Sequence, residues 1–540
     1  MSFSKNSDKI YTENSVKFDF NKDLLFNKNK ALQFSLLEKL FYYSLFLLPV
    51  GLLFGEVPTS ISEIIVVIFW LSSQKWKNFS YAFKNQYFWL LSSLFLIHII
   101  GLLYTTDFDY ALNDLRIKIP LILFPIIFFT TSLSKNFVVN FLKWFSIVVF
   151  INLSFLFFHQ KFFSQEISDT RNASIFISHI RLGLITAFSI VCTAYLIINY
   201  LQSIKEKVLF IILGIITLLL MLSLGLMTGI FTLLITTFFA IIYMILSNSN
   251  RIYTTIISVS TIIFIISMFF YIQNIYKKYF PNINSHSSNN NKLVSQYTEN
   301  GYIVFDNINE PQLKKEWEKR SKIPYDGKDK KNNDLKYTLF RYLTSKGLPK
   351  DSFGLAQLTE KEITDIENGY PNYHYVNASF LEKRIYELIQ EYNYFKISKD
   401  PNGKTIVLRL FYWNIAFKIW MKNFWFGVGT GDVPSAYKTE YQNYQNIHSD
   451  AQLRAHNQIL TYALTFGIFG LIIILLSYFY PLFTLSNSED YLLFFMFSII
   501  TFISYLIDDT FETQPSVTFF AIFNTLLIKF CLENSKEKLL

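Results

Sequence analysis

Residues 454–470 read RAHNQILTYALTFGIFG, at the point where a long polar segment gives way to a long apolar one. Arg454, His456 and Asn457 therefore stand where water meets a membrane. A charged cluster at the mouth of a membrane helix is costly to place and indicates a functional site. The alternative is an interfacial anchor, because Arg and His side chains also flank membrane helices and extend to water.

Apolar runs dominate the rest of the chain. Of its 540 residues 51% are hydrophobic and 16% are charged, and 58 are Phe. Runs of about 18 or more apolar residues span membranes, so the composition predicts an all-α polytopic membrane protein. The net charge of +9 fits cytoplasmic Lys and Arg and does not indicate nucleic-acid binding. Cys192 and Cys531 lie in or beside apolar runs, so we expect neither a disulfide framework nor a cysteine metal site.

The apolar runs predict about twelve transmembrane helices of ~20 residues each. The fourth run, near 118–131, is short, begins Lys118-Ile119-Pro120 and could be re-entrant or tilted. No signal peptide is visible, so the first helix is expected to direct insertion. The predicted parts are a cytoplasmic tail (1–38), helices 1–9 (39–272), a large extracytoplasmic loop (273–455), helices 10–12 (456–532) and a second cytoplasmic tail (533–540).

Lysine and arginine alternate between the short loops, which sets the orientation. The basic loops hold Lys75, Lys77, Lys84, Lys135, Lys205, Lys207 and Arg251. The positive-inside bias makes these loops cytoplasmic. Nearly all the unusual polar residues then lie on the outer side.

The large loop has enough aromatic and aliphatic residues to fold into a mainly helical unit. Helices are predicted at Glu310–Arg320, Thr359–Glu367 and Phe380–Tyr392. The stretch Arg409–Trp425 has apolar residues at helical spacing, which predicts a helix lying on the membrane surface.

Basic residues near the outer surface suggest an anion ligand. Arg409 begins the surface helix, where it meets either lipid phosphates or a bound diphosphate, since a planar guanidinium binds phosphate oxygens two at a time. His179 and Arg181 open the sixth span on the same outer face as His456. Such a pair is usually an anchor, but two pairs on one side favour a shared anionic site.

Glycines form two groups along the last third of the chain. The string Gly427-Val428-Gly429-Thr430-Gly431-Asp432 is not a nucleotide-binding fingerprint, because its spacing is wrong and no buried strand precedes it. We expect it to form a tight turn that places Asp432 near the site. Gly467 and Gly470 stand three apart, which predicts one helix face open to close approach by another helix.

Acidic residues crowd one short outer loop, where Asp508, Asp509 and Glu512 occur together. Like charges this close indicate a raised carboxyl pKa or a cationic partner, unless they are solvated turn residues. No His, Asp and Glu set has zinc-site spacing and no G-x-S-x-G elbow occurs, so neither a metal nor a cofactor is expected.

These motifs together resemble those of the O-antigen ligase and polymerase-like family, bacterial membrane glycosyltransferases with a large periplasmic loop before the last three spans. The signature is His456-Asn457, nine residues, then Gly467-x-x-Gly470. The other matching positions, in family order or in matching places, are Pro401-Asn402-Gly403, Arg409, Trp413, Gly427-x-Gly429-x-Gly431-Asp432, His179-x-Arg181 and Glu512-Thr513-Gln514. Loop sequences at 299–302 and 341–348 resemble the Bacteroidetes-type branch. One position departs: Met227 stands where many members carry an arginine, and Arg181 is the candidate substitute.

The resemblance implies a glycosyltransferase of the bacterial inner membrane with its site facing the periplasm. It would move a glycan en bloc from polyprenyl diphosphate to a sugar hydroxyl of lipid A-core or a similar acceptor. His456 would be the catalytic base. Substrate would be bound by Arg409, Arg181, Arg454, Asn457, Asp432, His179 and Glu512, and structural roles would fall to Gly427, Gly429, Gly431, Gly467 and Gly470. The alternatives are a polymerase of the same superfamily and, from another class, a transporter, although no inverted repeat is visible.

Overall fold

A computed structural model describes residues 35–163, 175–247, 251–279, 307–373, 405–444 and 452–537, with scattered residues between 376 and 389. Within these ranges every regular element is a helix, apart from two isolated β-bridges, Ile308 with Lys350 and Lys328 with Asp334. The predicted all-α class is confirmed. The Pro401-Asn402-Gly403 string, the loop at 299–302 and most of the predicted Phe380–Tyr392 helix lie outside the described residues.

Among the described residues, twelve α-helices precede the folded part of the large loop. They are α1 Leu36–Leu45, α2 Leu47–Leu53, α3 Glu56–Ser72, α4 Phe79–Phe83, α5 Gln86–Gly101, α6 Phe108–Lys118, α7 Pro120–Thr130, α8 Lys135–Phe163, α9 His179–Asn199, α10 Ile204–Ser223, α11 Met227–Ser247 and α12 Arg251–Tyr279. The later helices that the structure describes are α13 Glu310–Arg320, α14 Leu335–Ser345, α15 Ser352–Ala356, α16 Glu360–Glu367, α17 Thr405–Lys422, α18 Val433–Tyr441, α19 Gln458–Thr484, α20 Tyr491–Ile507 and α21 Gln514–Glu537.

Membrane-length helices make up most of the bundle. In the described part of the chain, 8 helices are long and apolar enough to cross a membrane, or up to 9 if the bent pair Glu56–Ser72 and Lys75–Phe83 is one span. Tyr491–Ile507 is a shorter apolar helix. A polytopic membrane protein is therefore confirmed, whereas the number twelve stays a prediction.

The short fourth apolar run forms helix α7, which has 11 residues. A helix of that length rises ~16 Å, well below the ~30 Å hydrocarbon core of a bilayer, so it cannot cross alone. Pro120 occupies its first turn, where a missing N–H costs no hydrogen bond. The preceding helix α6 ends at Lys118, so a lysine stands at the junction of the two.

The centre of the bundle is formed by α21 and α9. Buried residues make up 89% of the membrane-length stretch of α21 and 72% of that of α9, against 17% for α10 and 22% for α11. Phe188 of α9 and Phe523 of α21 pack edge to face at 4.9 Å. Such ring pairs add packing energy beyond the burial of their area. The outer helices keep apolar faces exposed, as lipid contact requires.

The described part of the large loop contains a small helical unit made by α13 to α16. Trp317, Leu339, Leu355 and Ile366 are fully buried in its core. Helix α13 has the predicted bounds, and α16 begins after Thr359, whose hydroxyl accepts from Glu362 N in a capping box. Both helix predictions are confirmed.

Helix α19 is broken at Gly467, whose backbone angles are φ 65° and ψ −151°. The prediction that Gly467 and Gly470 share one face of a continuous helix is therefore wrong. The close neighbour of Gly467 is also not a helix but the loop that follows α17. That loop hydrogen-bonds to α19 at the break, with Val428 N donating to Leu464 O and Ile468 N donating to Phe424 O, both at 2.9 Å.

Replacing Gly467 with alanine should lower the thermal stability of the protein markedly. A Cβ there would lie 2.6 Å from Phe426 N and closer still to the Trp425 carbonyl, and backbone cannot rotate aside. The left-handed φ of about 65° adds a cost of order 1–3 kcal/mol for a non-glycine residue.

Gly347 is a matched control, because its φ is +73° and an added Cβ would meet nothing within 4 Å. Gly347→Ala should show the backbone cost alone. Thermal unfolding of the detergent-solubilised variants measures both. An equal loss of stability in the two variants would disprove the close backbone contact between the loop after α17 and the break at Gly467.

Candidate functional site

The start of α19 is held by a buried carboxylate from the loop before α21. Asp509 accepts from His456 N at 3.1 Å, from Asn457 N at 3.2 Å and from Thr461 Oγ1 at 2.7 Å. A negative charge at a helix N-terminus is favourable. Burial raises the pKa of Asp509, and the nearby Glu512 charge raises it further, while the Thr461 hydrogen bond opposes the shift.

His456 adopts a left-handed backbone conformation, with φ 47°. Few non-glycine residues do so, and histidine is one of the more tolerant types. Such strain persists where the surroundings determine it and is common at functional sites. The ring Nδ1 lies 3.9 Å from Asp508 Oδ1 and 3.9 Å from Asp509 Oδ2, and 35% of the side chain is exposed. The ring therefore lies at the protein surface with its Nδ1 side toward two carboxylates.

A cavity of about 500 Å³ opens beside this histidine. Its wall brings together residues from α9, α18, the segment before α19 and the loop before α21. The lining residues are Arg181, Pro434, Tyr437, Lys438, Tyr441, Gln452, Leu453, Arg454, His456, Asp508, Asp509 and Glu512. Four of the sequence-predicted site residues, Arg181, Arg454, His456 and Glu512, therefore share one cavity.

Both cavity arginines are paired with carboxylates. Arg181 Nε lies 3.5 Å from Asp508 Oδ2, and among the described residues this nitrogen has no hydrogen-bond acceptor. Arg454 donates through Nη1 to Glu512 Oε2, and its guanidinium lies 5.5 Å from the centre of the Tyr110 ring. A guanidinium has five N–H donors, so each can pair with a carboxylate and still present donors to a second anion.

Beneath the cavity, Glu512 also meets a buried lysine. Lys118 Nζ donates to Glu512 Oε1 at 3.2 Å and to Asp114, and His98 Nε2 lies 3.9 Å from Asp114 Oδ2. Burial alone would raise the pKa of Glu512, but the charges of Lys118 and Arg454 outweigh it and lower the pKa to about 2. Burial raises the pKa of Asp114 to about 6 against the pull of Lys118.

Sequence reasoning missed His98, Asp114 and Lys118. The available signal was the spacing of Asp114 and Lys118, four residues apart on a helix, with the lysine at the start of an apolar run. Their partner Glu512 lies 394 residues beyond Lys118, so the sequence alone does not connect them.

Two other predicted polar residues, Asn457 and Asp432, hold backbone segments in place and do not line the cavity. Asn457 is the N-cap of α19 and accepts from Leu460 N at 3.0 Å, which satisfies one free helix donor. Asp432 accepts from Thr106 N at 2.9 Å and from Asp107 N at 3.0 Å, so it holds the loop before α6. Neither is among the residues that line the cavity.

Two further predicted residues flank the cavity without lining it. Arg409 stands on α17 one turn before Tyr412, whose ring centre is 6.0 Å from that of His456. His179 lines a second cavity of about 270 Å³, which Arg181 also borders. Arg181 is thus common to both cavities.

The glycine string after α17 packs against its neighbours as a tight loop. Gly427 and Gly429 have φ of +70° and +94°, and a Cβ on Gly431 would lie 2.5 Å from Thr105 Oγ1. Gly429 N donates to Thr465 O at 2.9 Å. The loop therefore ties the segment before α6 to the break in α19. Among the described residues no group of three or more His, Cys, Asp or Glu side chains is placed to hold a metal ion.

The turn that carries Met227 lies against the helix that carries Arg181. A Cβ on Gly229 would lie 2.7 Å from the Gly183 carbonyl carbon, which is two residues beyond Arg181. Residue 227 and residue 181 therefore belong to neighbouring turns of packed helices.

Comparison with known proteins locates a family match in one of the segments that contribute to the cavity. Residues 375–475 match the family model described as O-antigen ligase. This range includes Arg454 and His456 as well as α17 and α18. No protein of curated function matches the chain in sequence. The match confirms the resemblance that the motifs indicate, and the chain is a multi-pass membrane protein with a segment similar to the O-antigen ligase family.

Proposed function

We propose that the protein is a ligase-type glycosyltransferase that moves a glycan en bloc from polyprenyl diphosphate to a sugar hydroxyl of lipid A-core or a similar acceptor. The family match supports a membrane glycosyltransferase-like enzyme. The observation that carries the finer proposal is the single cavity in which a strained histidine stands beside two arginines. Binding a lipid-linked diphosphate requires permanent positive charge, and activating a sugar hydroxyl for attack requires a base.

The two arginines are proposed to hold the donor diphosphate. Arg181 and Arg454 approach the cavity from different segments, and each already has a carboxylate neighbour. The carboxylates keep the guanidinium planes oriented before the donor arrives. When the bond between the anomeric carbon and the phosphate oxygen breaks, the diphosphate gains negative charge, which donors fixed in advance stabilise.

His456 is proposed to accept the proton of the attacking hydroxyl. The acceptor oxygen bonds to the anomeric carbon, the bond from that carbon to the diphosphate oxygen breaks, and its electron pair leaves with the diphosphate. The proton goes to the imidazole, whose Nδ1 side faces Asp508 and Asp509. Nε2 is then the atom left to face the substrate. The two carboxylates are placed to stabilise the charge that the ring gains.

A polymerase of the same superfamily remains the second candidate function, because its donor and its leaving group are the same and only its acceptor differs. The glycolipid ladder on a gel separates the two. Loss of a ligase leaves glycans of normal length on their lipid carrier and unattached to the core. Loss of a polymerase leaves single repeats attached to the core, and that pattern would overturn the ligase proposal.

The proposed reaction requires the cavity to face the periplasm, and thiol labelling tests this. Ser435 is exposed at the start of α18, whereas Ser203 is exposed before α10 on the side proposed to be cytoplasmic. In a background in which the buried Cys192 and Cys531 are alanine, Ser435→Cys should react with an impermeant reagent in intact spheroplasts. Ser203→Cys should react only after permeabilisation.

Ser352 on α15 offers a second site for the same experiment, whereas Ser449 lies outside the described residues. The reverse labelling pattern, with Ser435→Cys protected and Ser203→Cys reactive, would place the cavity in the cytoplasm and rule out the proposed reaction.

A further inference from the structure

The face of α6 below the cavity carries three residues at four-residue spacing, Tyr110, Asp114 and Lys118. This spacing puts them in one row along the helix. Lys118 is 1% exposed and Asp114 is 8% exposed. Burying an ammonium group is costly unless charged and polar partners surround it. The row therefore needs an explanation beyond helix formation.

The row reaches the cavity through one carboxylate. Lys118 Nζ donates to Glu512 Oε1 at 3.2 Å, while the other oxygen of the same carboxylate, Oε2, accepts from Arg454. Tyr110 supplies the ring below the Arg454 guanidinium, at 5.5 Å. Arg454 therefore has two contacts that depend on α6. One is the Glu512 carboxylate, to which Lys118 donates, and the other is the Tyr110 ring. The loop before α6 is in turn held by Asp432.

Stability alone is a weak reason for this arrangement. Buried ion pairs can often be replaced by apolar side chains of similar volume with no loss of stability, so burial of the pair does not by itself indicate a stabilising role. The lysine also precedes α7, whose 11 residues, PLILFPIIFFT, are nearly all apolar.

We propose that Lys118 is a positioning residue, which acts through Glu512 to hold the Arg454 guanidinium in the orientation that receives the donor's phosphate. The proposal rests on the proposed function of the cavity and adds to it a residue that touches no substrate. Asp114 holds the lysine in place from the preceding helical turn.

Steady-state transfer by the purified full-length protein tests the proposal. Lys118→Met keeps most of the length of the side chain and removes its charge. It should raise the KM for the lipid-linked donor by roughly ten- to a hundredfold, the range for a lost charged hydrogen bond, and leave the KM for the acceptor unchanged. A merely structural lysine would change the amount of folded protein and neither KM.

Lys529 provides a matched control. It is a second buried lysine, 8% exposed, and it donates to the carbonyl oxygens of Phe128 and Thr131, away from the cavity residues. Lys529→Met should leave the donor KM unchanged in the protein that folds. An equal rise of donor KM in both variants would show a general effect of lost charge and overturn the proposal.

A double variant tests whether Lys118 acts through Glu512. Glu512→Gln should itself raise the donor KM, and adding Lys118→Met should raise it no further. The double variant removes one positive and one negative charge, so no buried charge loses its partner at this contact. Its donor KM can therefore be measured even where Lys118→Met alone does not fold. Additive effects, or a parental donor KM in Lys118→Met, would overturn the positioning role.

Binding of undecaprenyl diphosphate can be measured by the shift that it causes in the unfolding temperature of the protein. This measurement separates the positioning role of Lys118 from the proposed function on which it rests. If the parent protein neither binds this lipid nor transfers, the proposed function fails. If the parent binds it and Lys118→Met binds equally well, the function stands and the positioning role fails.

Discussion

Replacement of His456 by alanine should leave the protein inserted in the membrane at normal amounts and lower transfer by at least about a hundredfold. General base help is typically worth ~10²–10⁴-fold. The side chain is partly exposed, so its loss removes little packing. The backbone contacts that Asp509 makes at residues 456 and 457 do not depend on the ring. Transfer at the parental rate would reduce the residue to an interfacial anchor.

The pH dependence of the rate distinguishes a base from a hydrogen-bond donor at His456. A general base acts only while it is unprotonated, so a base at this position predicts a rate that falls at low pH. Asp114, whose pKa is raised to about 6, also gains a proton as the pH falls. The falling limb should therefore persist in Asp114→Asn. Glu512, with a pKa of about 2, stays ionised throughout.

A His456→Gln variant completes this test. Glutamine can hydrogen-bond to the diphosphate but cannot take a proton near neutral pH. Appreciable transfer by His456→Gln, with no falling limb at low pH, would assign the residue to holding the leaving group instead of accepting the proton.

Arg181→Lys and Arg454→Lys should each weaken transfer roughly ten- to a hundredfold, because a charged hydrogen bond to phosphate is worth ~1.5–3 kcal/mol. Lysine keeps the charge, but it is a point charge without the planar fork of donors. The two arginines pair with different carboxylates, but they are proposed to share the donor diphosphate, so the loss in the double variant should depart from the product of the two factors. The loss should show mainly in the KM for the donor.

Arg409→Lys makes the same change one helix away from the cavity wall and is compared with the two cavity variants. It should be less impaired than either cavity variant if Arg409 contacts lipid, and equally impaired if it also binds the diphosphate.

Met227→Arg should restore part of the activity of Arg181→Ala, because the two turns pack together. Normal transfer by both Arg181→Lys and Arg454→Lys would remove the diphosphate site from this cavity.

The helical fold could be predicted because each helix carries its own local signals. Helix α16 follows a threonine cap with a glutamate three residues later, and α13 begins with Glu310-Pro311 after a capping asparagine. Apolar runs marked the bundle in the same way. The break at Gly467 could not be predicted, because its cause is a hydrogen-bonded contact with the backbone of a loop some forty residues earlier in the chain.

The candidate site could be predicted in part for a related reason. Arg181, Arg454 and His456 stand at boundaries between polar and apolar sequence, where a charge is conspicuous. Asn457 stands at the same boundary, yet the structure uses its side chain as a helix cap. Lys118 and Asp114 belong to a helix with an ordinary mixture of residues, and only its packing against the loop before α21 reveals them.

En bloc transfer can be measured directly with purified protein given a lipid A-core acceptor and a polyprenyl diphosphate that carries a labelled glycan of defined length. We expect the intact labelled glycan to appear on the core, with one polyprenyl diphosphate released per glycan transferred. His456→Ala should form neither product. Transfer of the label only to a second lipid-linked glycan, with the core left unmodified, would rule out ligase-type transfer.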